Sequence, residues 1–282
     1  MKTGTSERPD LPIAVVIGGG GMGMSTARRL GQHCRVILAS LSADKNPARE
    51  AALKEDGIDA IAVQCDMTDP DSVDRLAKTV AERGPLRTVA HVAAFSPSMG
   101  DWRTLLRVNL VGPALIERAM LKLAVQGTSA IFVSSLAGHS VPPTPEQLAV
   151  LDDPLAPDFI EKLEAVVPQH TSGAAYSLTK NALNRMCRRR APAWGKRGGR
   201  IVSMSPGMIA TPMGALEFQG PNREVKLNIL RRTPLGREGT MIETADAIEF
   251  LASDRASFIT GTDLLVDGGA AAAAAFPNES LD

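Results

Sequence analysis

Short apolar, β-branched runs alternate with helix-forming stretches from Ile13 to Val266, and that rhythm leaves the chain few architectures. Strand-like runs are read at Ile13–Ile17, Arg35–Ala39, Ala60–Cys65, Thr88–Ala93, Ala130–Ser134, Arg200–Met204 and Asp263–Val266. Between them, helices are expected at Met22–Leu30, Pro47–Glu55, Asp71–Glu82, Trp102–Leu123, Gly173–Trp194 and Thr244–Ala252. Pro70 before the third of these is a start signal. Strands separated by helices favour a parallel, doubly wound α/β sheet. A chain of 282 residues with no internal repeat and no linker-like stretch is expected to be a single domain. Two segments interrupt the rhythm, His139–Ser172 and Met213–Arg232, and long excursions of this kind are usually lids or binding loops. The first is rich in Pro and acidic residues, with a short helix expected at Pro157–Val166. The run Ala270–Ala275 reads either as a tail or as small residues packed in a subunit interface.

Bulk composition narrows the function. Lys+Arg and Asp+Glu are equal at 31 each, so net charge offers no reason to expect nucleic acid or an anionic membrane as partner. The cluster Arg188-Arg189-Arg190 is read as the solvated end of a helix, where cations suit the dipole. The three cysteines form no CxxC pair and the four histidines no ligand spacing, so neither a disulfide framework nor a metal site is expected. Residues 1–10 are polar and no apolar run would span a bilayer, which suits a cytoplasmic protein.

Three local patterns carry chemistry. Gly18, Gly20 and Gly23, with Gly21 and Met22 between them, fit G-x-G-x-x-G directly after a strand and opening a helix. Glycines there let the backbone turn sharply and approach a pyrophosphate, and the helix N-terminus offers free N–H groups. At the end of the second strand stands Ser40, where an acidic residue would hold a ribose diol and repel a 2′-phosphate. Hydroxyls at Ser40 and Ser42 favour NADP(H) modestly over NAD(H), although no arginine is adjacent; Lys45 and Arg49 are the nearest cations onward. Asp66 and Met67 close the third strand where an adenine edge could be read. The third pattern is Tyr176-Ser-Leu-Thr-Lys180, preceded in the chain by Ser134-Ser135. A tyrosine four residues before a lysine on a helix puts both on one face, and the positive charge would favour the phenolate. A phenol, with a free pKa of about 10, then becomes usable as an acid or base near neutrality. Tyr176 is the chain's sole tyrosine.

Taken in order, these pieces resemble the short-chain dehydrogenase/reductase family over roughly residues 13 to 269. Further matching stretches are Cys65-Asp66-Met67-Thr68-Asp69, Val108-Asn109-Leu110-Val111-Gly112, Val133-Ser134-Ser135-Leu136-Ala137-Gly138, Ser205-Pro206-Gly207-Met208-Ile209-Ala210-Thr211, and Ile259 to Gly269. The resemblance implies a Rossmann-like, mainly parallel seven-stranded sheet and an NAD(P)-dependent enzyme interconverting a secondary alcohol and a ketone. It implies that Tyr176 exchanges the proton at the substrate oxygen, Lys180 lowers the tyrosine pKa and binds nicotinamide ribose, and Ser135 holds the substrate oxygen. Asn109 would hold a helix kink and a water relaying protons to Lys180. Pro206, Gly207, Ile209 and Thr211 would line the nicotinamide and phosphates. It implies a homotetramer or homodimer with the helices from Trp102 and Gly173 at the interface.

The chain also departs from the family. Its glycine loop is one residue shorter than usual, with Ile17 in place of Thr. His91-Val92-Ala93-Ala94 replaces Asn-Asn-Ala-Gly, although small residues at Ala93 and Ala94 still permit close approach of a cofactor. Ser203 replaces a common asparagine. Ser135 and Tyr176 are much further apart than is usual, so residues 139–172 are read as an inserted flap over the substrate pocket, 213–232 as a substrate lid and 270–282 as a tail. The apolar residues of these segments (Val141, Leu148, Phe159, Leu163, Leu216, Phe218) suit a medium-sized, partly apolar ketone. A non-catalytic dinucleotide sensor or scaffold on the same fold is the alternative. Reduction of a carbon–carbon double bond is disfavoured, because those relatives usually space Tyr and Lys more widely.

Overall fold

The computed structural model describes residues 11–211, 214–215 and 223–276. Seven parallel strands form one sheet in the order β3-β2-β1-β4-β5-β6-β9. They are β1 (Ile13–Ile17), β2 (Arg35–Ser40), β3 (Ala60–Gln64), β4 (Leu86–His91), β5 (Ala124–Val133), β6 (Arg200–Pro206) and, last in the chain, β9 (Asp263–Val266). A separate two-residue pair joins β7 (Ile209–Ala210) to β8 (Gly239–Thr240). Parallel neighbours need crossovers, and helices supply them: α1 (Gly21–Leu30), α2 (Asn46–Glu55), α3 (Pro70–Arg83), α4 (Trp102–Leu106), α5 (Gly112–Leu123) and α8 (Ser172–Gly195). The central strands are buried on both faces, which is why Ile13–Ile17 is apolar at every position instead of alternating. One face packs against α3, α5 and α8 and the other against α1 and the helix Met241–Ala252. Strand order reverses between β1 and β4, so a crevice opens beyond the carboxyl ends of these two strands.

Several boundaries move for identifiable reasons. β4 stops at His91, not Ala93, because the N–H groups of Val92 and Ala93 both turn to the Ile17 carbonyl, at 2.9 Å each. The helix expected over Trp102–Leu123 passes through a π turn at Arg107–Val111 that contains Asn109. Ala270–Ala275 is a short helix rather than an unstructured tail. The arginine cluster lies within α8, not at its end; Arg190 donates to the buried Glu117 at 2.9 Å and Arg189 pairs with Asp152.

The segment between Ser135 and Tyr176 holds two helices, α6 (Pro145–Leu151) and α7 (Phe159–Val166). The sequence reading anticipated only the second. The signal for α6 was present as a capping box, in which Thr144 and Gln147 satisfy each other's backbone N–H groups. Both helices bury apolar side chains against Trp102, Leu105, Leu106 and Leu110 of the α4 region and Ala175 and Ala182 of α8. Asp152 at the end of α6 takes a two-pronged ion pair from Arg185, at 2.6 and 2.8 Å. Much of the expected lid, including Leu216 and Phe218, lies outside the described residues.

Leu163 is fully buried at the centre of this third cluster. Leu163→Ala should therefore lower stability by about 2–5 kcal/mol in urea unfolding, as for a cavity in a packed core. An insertion merely resting on the surface would yield a far smaller loss.

Candidate active site

At the carboxyl edge of the sheet, the first turn is dictated by missing side chains. Gly18 adopts φ +120°, and a Cβ there would press on Ala93. A Cβ at Gly23 would collide with the Gly18 carbonyl oxygen, so β1 can fold back onto α1 only with glycine at this place. Gly20, the N-cap of α1, faces open space. No side chain caps this helix and no acid stands in its first turn, so its N–H groups and positive dipole end point toward the crevice. An uncapped helix N-terminus with an open glycine beside it is a suitable seat for a pyrophosphate, and the residues present fit a dinucleotide.

The end of β2 selects between the two cations named from the sequence. No arginine adjoins Ser40 in sequence, but α2 brings Arg49 back to it: Nη1 donates to Ser40 Oγ at 2.7 Å and to Asn46 Oδ1 at 3.2 Å. Ser40 Oγ in turn donates to Asn46 Oδ1 at 2.8 Å. The guanidinium also lies over Gly19, where a Cβ would come within 2.6 Å of it. Arg49 occupies the first turn of α2, the end at which a helix dipole disfavours a cation. Among the described residues it has no carboxylate partner. Asp66 is used locally: its Oδ1 accepts from Thr68 N and Oγ1, and Met67 packs against Gly112.

Across the crevice, Ser135 stands two residues after β5 and caps a 3-10 turn, Leu136–His139, its Oγ accepting from Ala137 N at 3.2 Å. Three contacts fasten this turn to α8. Ser134 Oγ donates to the Lys180 carbonyl at 3.0 Å, Asn181 Nδ2 donates to the Gly138 carbonyl at 3.0 Å, and Gly138 lies too close to the Lys180 backbone for a side chain. As a result Ser135 comes beside Tyr176, close enough for its side chain to lower the phenol's pKa. Lys180 is 2% exposed. Its Nζ donates to the Val133 carbonyl at 3.1 Å and sits 5.7 Å from the centroid of the Tyr176 ring. Asn109 holds the backbone of Phe95 with both ends of its amide, accepting from N at 2.8 Å and donating to O at 2.9 Å. Pro206 and Gly207 close β6 beside Asp267, Ile209 lies in β7, and Thr211 Oγ1 accepts from Gly214 N. Ala94 follows Ala93 beside the glycine turn as a half-buried residue. The chain thus brings together Ser135, Tyr176 and Lys180, with the glycine turn, Ala93 and Ala94 across the sheet edge.

The electrostatics differ from the simple sequence expectation. Burial holds the Tyr176 phenol above its ordinary value, outweighing the Ser135 hydrogen bond that lowers it. Burial also pushes Lys180 down to about 7, since no carboxylate among the described residues repays its desolvation. His91 is fully buried, stacked on Phe132 at 5.4 Å, and its pKa falls to about 3 through burial and the neighbouring Lys180. It is therefore a neutral ring at working pH. Among the described residues, no three His, Cys, Asp or Glu side chains are grouped to hold a metal, and no helix is long and apolar enough to cross a membrane.

Lys180 has a testable linkage. The unfolded chain holds the lysine proton up to about pH 10.4, whereas the folded chain sheds it near pH 7. In that window the unfolded state binds more protons, so this group's contribution to stability rises with pH, by up to about 1.4 kcal/mol per unit. Urea unfolding of the cofactor-free protein should show this rise relative to Lys180→Met between about pH 7 and 10. Parallel pH profiles for the two proteins would show that Lys180 is not desolvated.

Residues 12–145 match a family model described as short chain dehydrogenase, and residues 161–271 one described as Enoyl-(Acyl carrier protein) reductase. A short-chain dehydrogenase/reductase of Alternaria brassicicola is 33% identical, over 92% of this chain and 95% of its own length. A cis-4-hydroxycyclohexanecarboxylate dehydrogenase of Sinomonas cyclohexanicum is 31% identical over 91% and 95%. The fold is also that of a variant actinorhodin polyketide ketoreductase solved with NADPH, at a TM-score of 0.74 and 22% identity over 93% of this chain and 98% of that one. With the glycine turn, the Ser135 turn and the Tyr176–Lys180 helix assembled on one sheet edge, and relatives matching along nearly its whole length, the chain belongs to the short-chain dehydrogenase/reductase family.

Proposed function

We propose that this protein is an NADP(H)-preferring oxidoreductase that interconverts a secondary alcohol and a ketone. The observation that carries the reading is the Ser135–Tyr176–Lys180 cluster facing a glycine turn that fits a dinucleotide. Hydride supply or uptake is the chemistry that a bound nicotinamide would bring. The chain does the rest. Ser135 Oγ, fixed by its turn, donates to the substrate oxygen and orients it. In the reductive direction Tyr176 gives its phenolic proton to the oxygen that gains charge at the carbinol carbon; in the oxidative direction the phenolate takes the hydroxyl proton. Lys180 supplies the positive charge that makes phenolate formation accessible. Its charge depends on the surroundings, because in the cofactor-free chain it titrates near 7. A dinucleotide's phosphates would raise that value, so binding near pH 8 should draw in a proton. Asn109, through Phe95, steadies the floor of the pocket.

NADP(H) is favoured because Arg49, Ser40 and Asn46 form a cationic hydrogen-bonding corner at the end of β2, where a ribose 2′-phosphate would lie. The substrate is read as a ring-bearing or otherwise partly apolar ketone or alcohol. The cyclic secondary alcohol in the name of the Sinomonas relative supports that class. A dimer or tetramer follows from the family resemblance. An interface using the outer faces of α4 and α8 would have to include the inserted helices, which lie on them. Residues 139–172 are proposed to border the pocket through α7 and the start of α8.

Two experiments test the reading. Nicotinamide fluorescence titration should give tighter binding of NADPH than NADH. Arg49→Ala should weaken NADPH by tenfold or more, consistent with losing a charge-assisted contact of about 1.5–3 kcal/mol, and leave NADH nearly unchanged. Equal losses for both would remove the 2′-phosphate role. On a panel of cyclohexanols, decalones and hydroxysteroids, Tyr176→Phe should abolish turnover while NADPH still binds. Cofactor binding by the wild type with no turnover on any member would favour the sensor alternative.

A further inference from the structure

His139 ends the 3-10 turn that begins after Ser135 and directly precedes the excursion carrying α6 and α7. Its ring is not free. Nε2 lies 2.9 Å from Asp263 Oδ2, 3.2 Å from Ser205 Oγ and 3.2 Å from Asn184 Nδ2. These partners come from three elements. Asp263 opens β9, Ser205 immediately precedes Pro206-Gly207 at the end of β6, and Asn184 is one turn beyond Lys180 on α8. The Asp263 side chain is 2% exposed, and that of His139 28%. A buried carboxylate facing Nε2 selects the tautomer with its proton on that nitrogen, which donates to Oδ2; the Asn184 amide nitrogen, itself a donor, then packs beside the ring without accepting from it. Oδ1 of Asp263 and Oδ1 of Asn184 are buried with no hydrogen-bond partner among the described residues, so this node carries a desolvation cost that packing alone would not require.

We propose that His139, held by Asp263, is a positioning residue that sets where Ser135 stands against Tyr176. The inference rests on the reading of Ser135 and Tyr176 as a working pair. The 3-10 turn is short and has two ends. The Ser134 end is held by the Lys180 carbonyl and the middle by Asn181. Without His139, its far end would be tied only to the excursion, and any movement of α6 and α7 would reach Ser135. With His139 hydrogen-bonded to Asp263 of β9 and packed beside Ser205 of β6 and Asn184 of α8, the turn is clamped on the sheet side as well. The same node reaches β6 one residue before Pro206, so it also ties the serine turn to the strand leading into the Pro206-Gly207 corner.

Titratable groups around the node are Asp263 on β9 and Cys187 on α8, whose thiol burial and Asp263 push well above its usual range. Tyr176 is accompanied by Lys180 on its own helix, and Lys180 by His91 on β4. Lys180 titrates near 7, before the phenol.

Because Tyr176 is the sole tyrosine, its state can be read without knowing the substrate. In cofactor-free protein, phenolate absorbance near 295 nm follows its ionisation, and ¹³Cζ-tyrosine labelling gives one resonance. Ser135→Ala should move the ionisation to higher pH by removing the hydrogen bond that lowers it. His139→Ala should move it the same way, and His139→Gln, which keeps an N–H for Asp263, should restore it toward wild type. Asp263→Asn, which changes volume little, should give a smaller shift of the same sign and serves if His139→Ala folds poorly. Where alkaline unfolding intervenes, the ¹³Cζ shift at pH 8, at which the phenol is neutral, compares the Ser135–Tyr176 contact in the same variants. A shift in Ser135→Ala with none in folded His139→Ala or Asp263→Asn, or no rescue by His139→Gln, would overturn the positioning role alone. No shift in Ser135→Ala would instead overturn the pairing on which it rests.

Discussion

Parallel strands cannot be joined by tight turns, and that single constraint organises the molecule. Each strand must be followed by a crossover that returns the chain to the starting edge, and here most of those crossovers are helices. The carboxyl ends of all seven strands therefore share one edge. The uncapped N-terminus of α1, the serine turn after β5 and the Pro206-Gly207 corner after β6 are all consequences of that rule. The reversal of strand order between β1 and β4 then opens the crevice in which these loops meet.

Within the crevice, position is set mainly by backbone contact. Gly23 against the Gly18 carbonyl, Gly18 against Ala93, and Gly138 against the Lys180 backbone are approaches that no side chain would permit. They let the segments carrying chemistry come closer than ordinary packing allows. The cost is concentrated at Lys180, an amine withdrawn from water with, among the described residues, one carbonyl as hydrogen-bond acceptor and no carboxylate. A tyrosine–lysine pair in which the phenol is held high and the amine low is poised so that added negative charge shifts both. The depressed lysine is thus a property of the cofactor-free chain.

The segment between Ser135 and Tyr176 is built into the core rather than resting on the surface. Leu151, Phe159, Ile160 and Leu163 share a core with Trp102, Leu105 and Leu110, and Asp152 is locked to Arg185 and Arg189. Its two ends are both pinned, at the His139 node and at the Thr171 cap of α8, whose side chain accepts from Ala174 N. A long excursion between two residues that must touch can keep them in register only if both ends are held in this way.

The period and type of the side chains were enough to read the seven strands, the crossover helices and the parallel sheet, because burial on both faces writes a continuous apolar run into each central strand. The glycine turn and the Tyr176–Lys180 spacing were legible for the same local reason: a backbone approach needs glycine, and a helix places residues four apart on one face. What the sequence did not disclose depends on contacts between distant segments. Arg49 reaches Ser40 because α2 folds back on β2; the sequence marked Arg49 and Lys45 only as the nearest cations onward and could not say which would arrive. The raised tyrosine and lowered lysine reflect how much protein surrounds them, whereas the chain alone suggested only their mutual charge effect. His139 stood in the sequence only as the first residue of an excursion until β6, β9 and α8 converged on its ring. Local pattern determines elements, since hydrogen bonding and burial periodicity act over a few residues. Desolvation and polar clustering are sums over neighbours, and only the tertiary structure decides who those neighbours are.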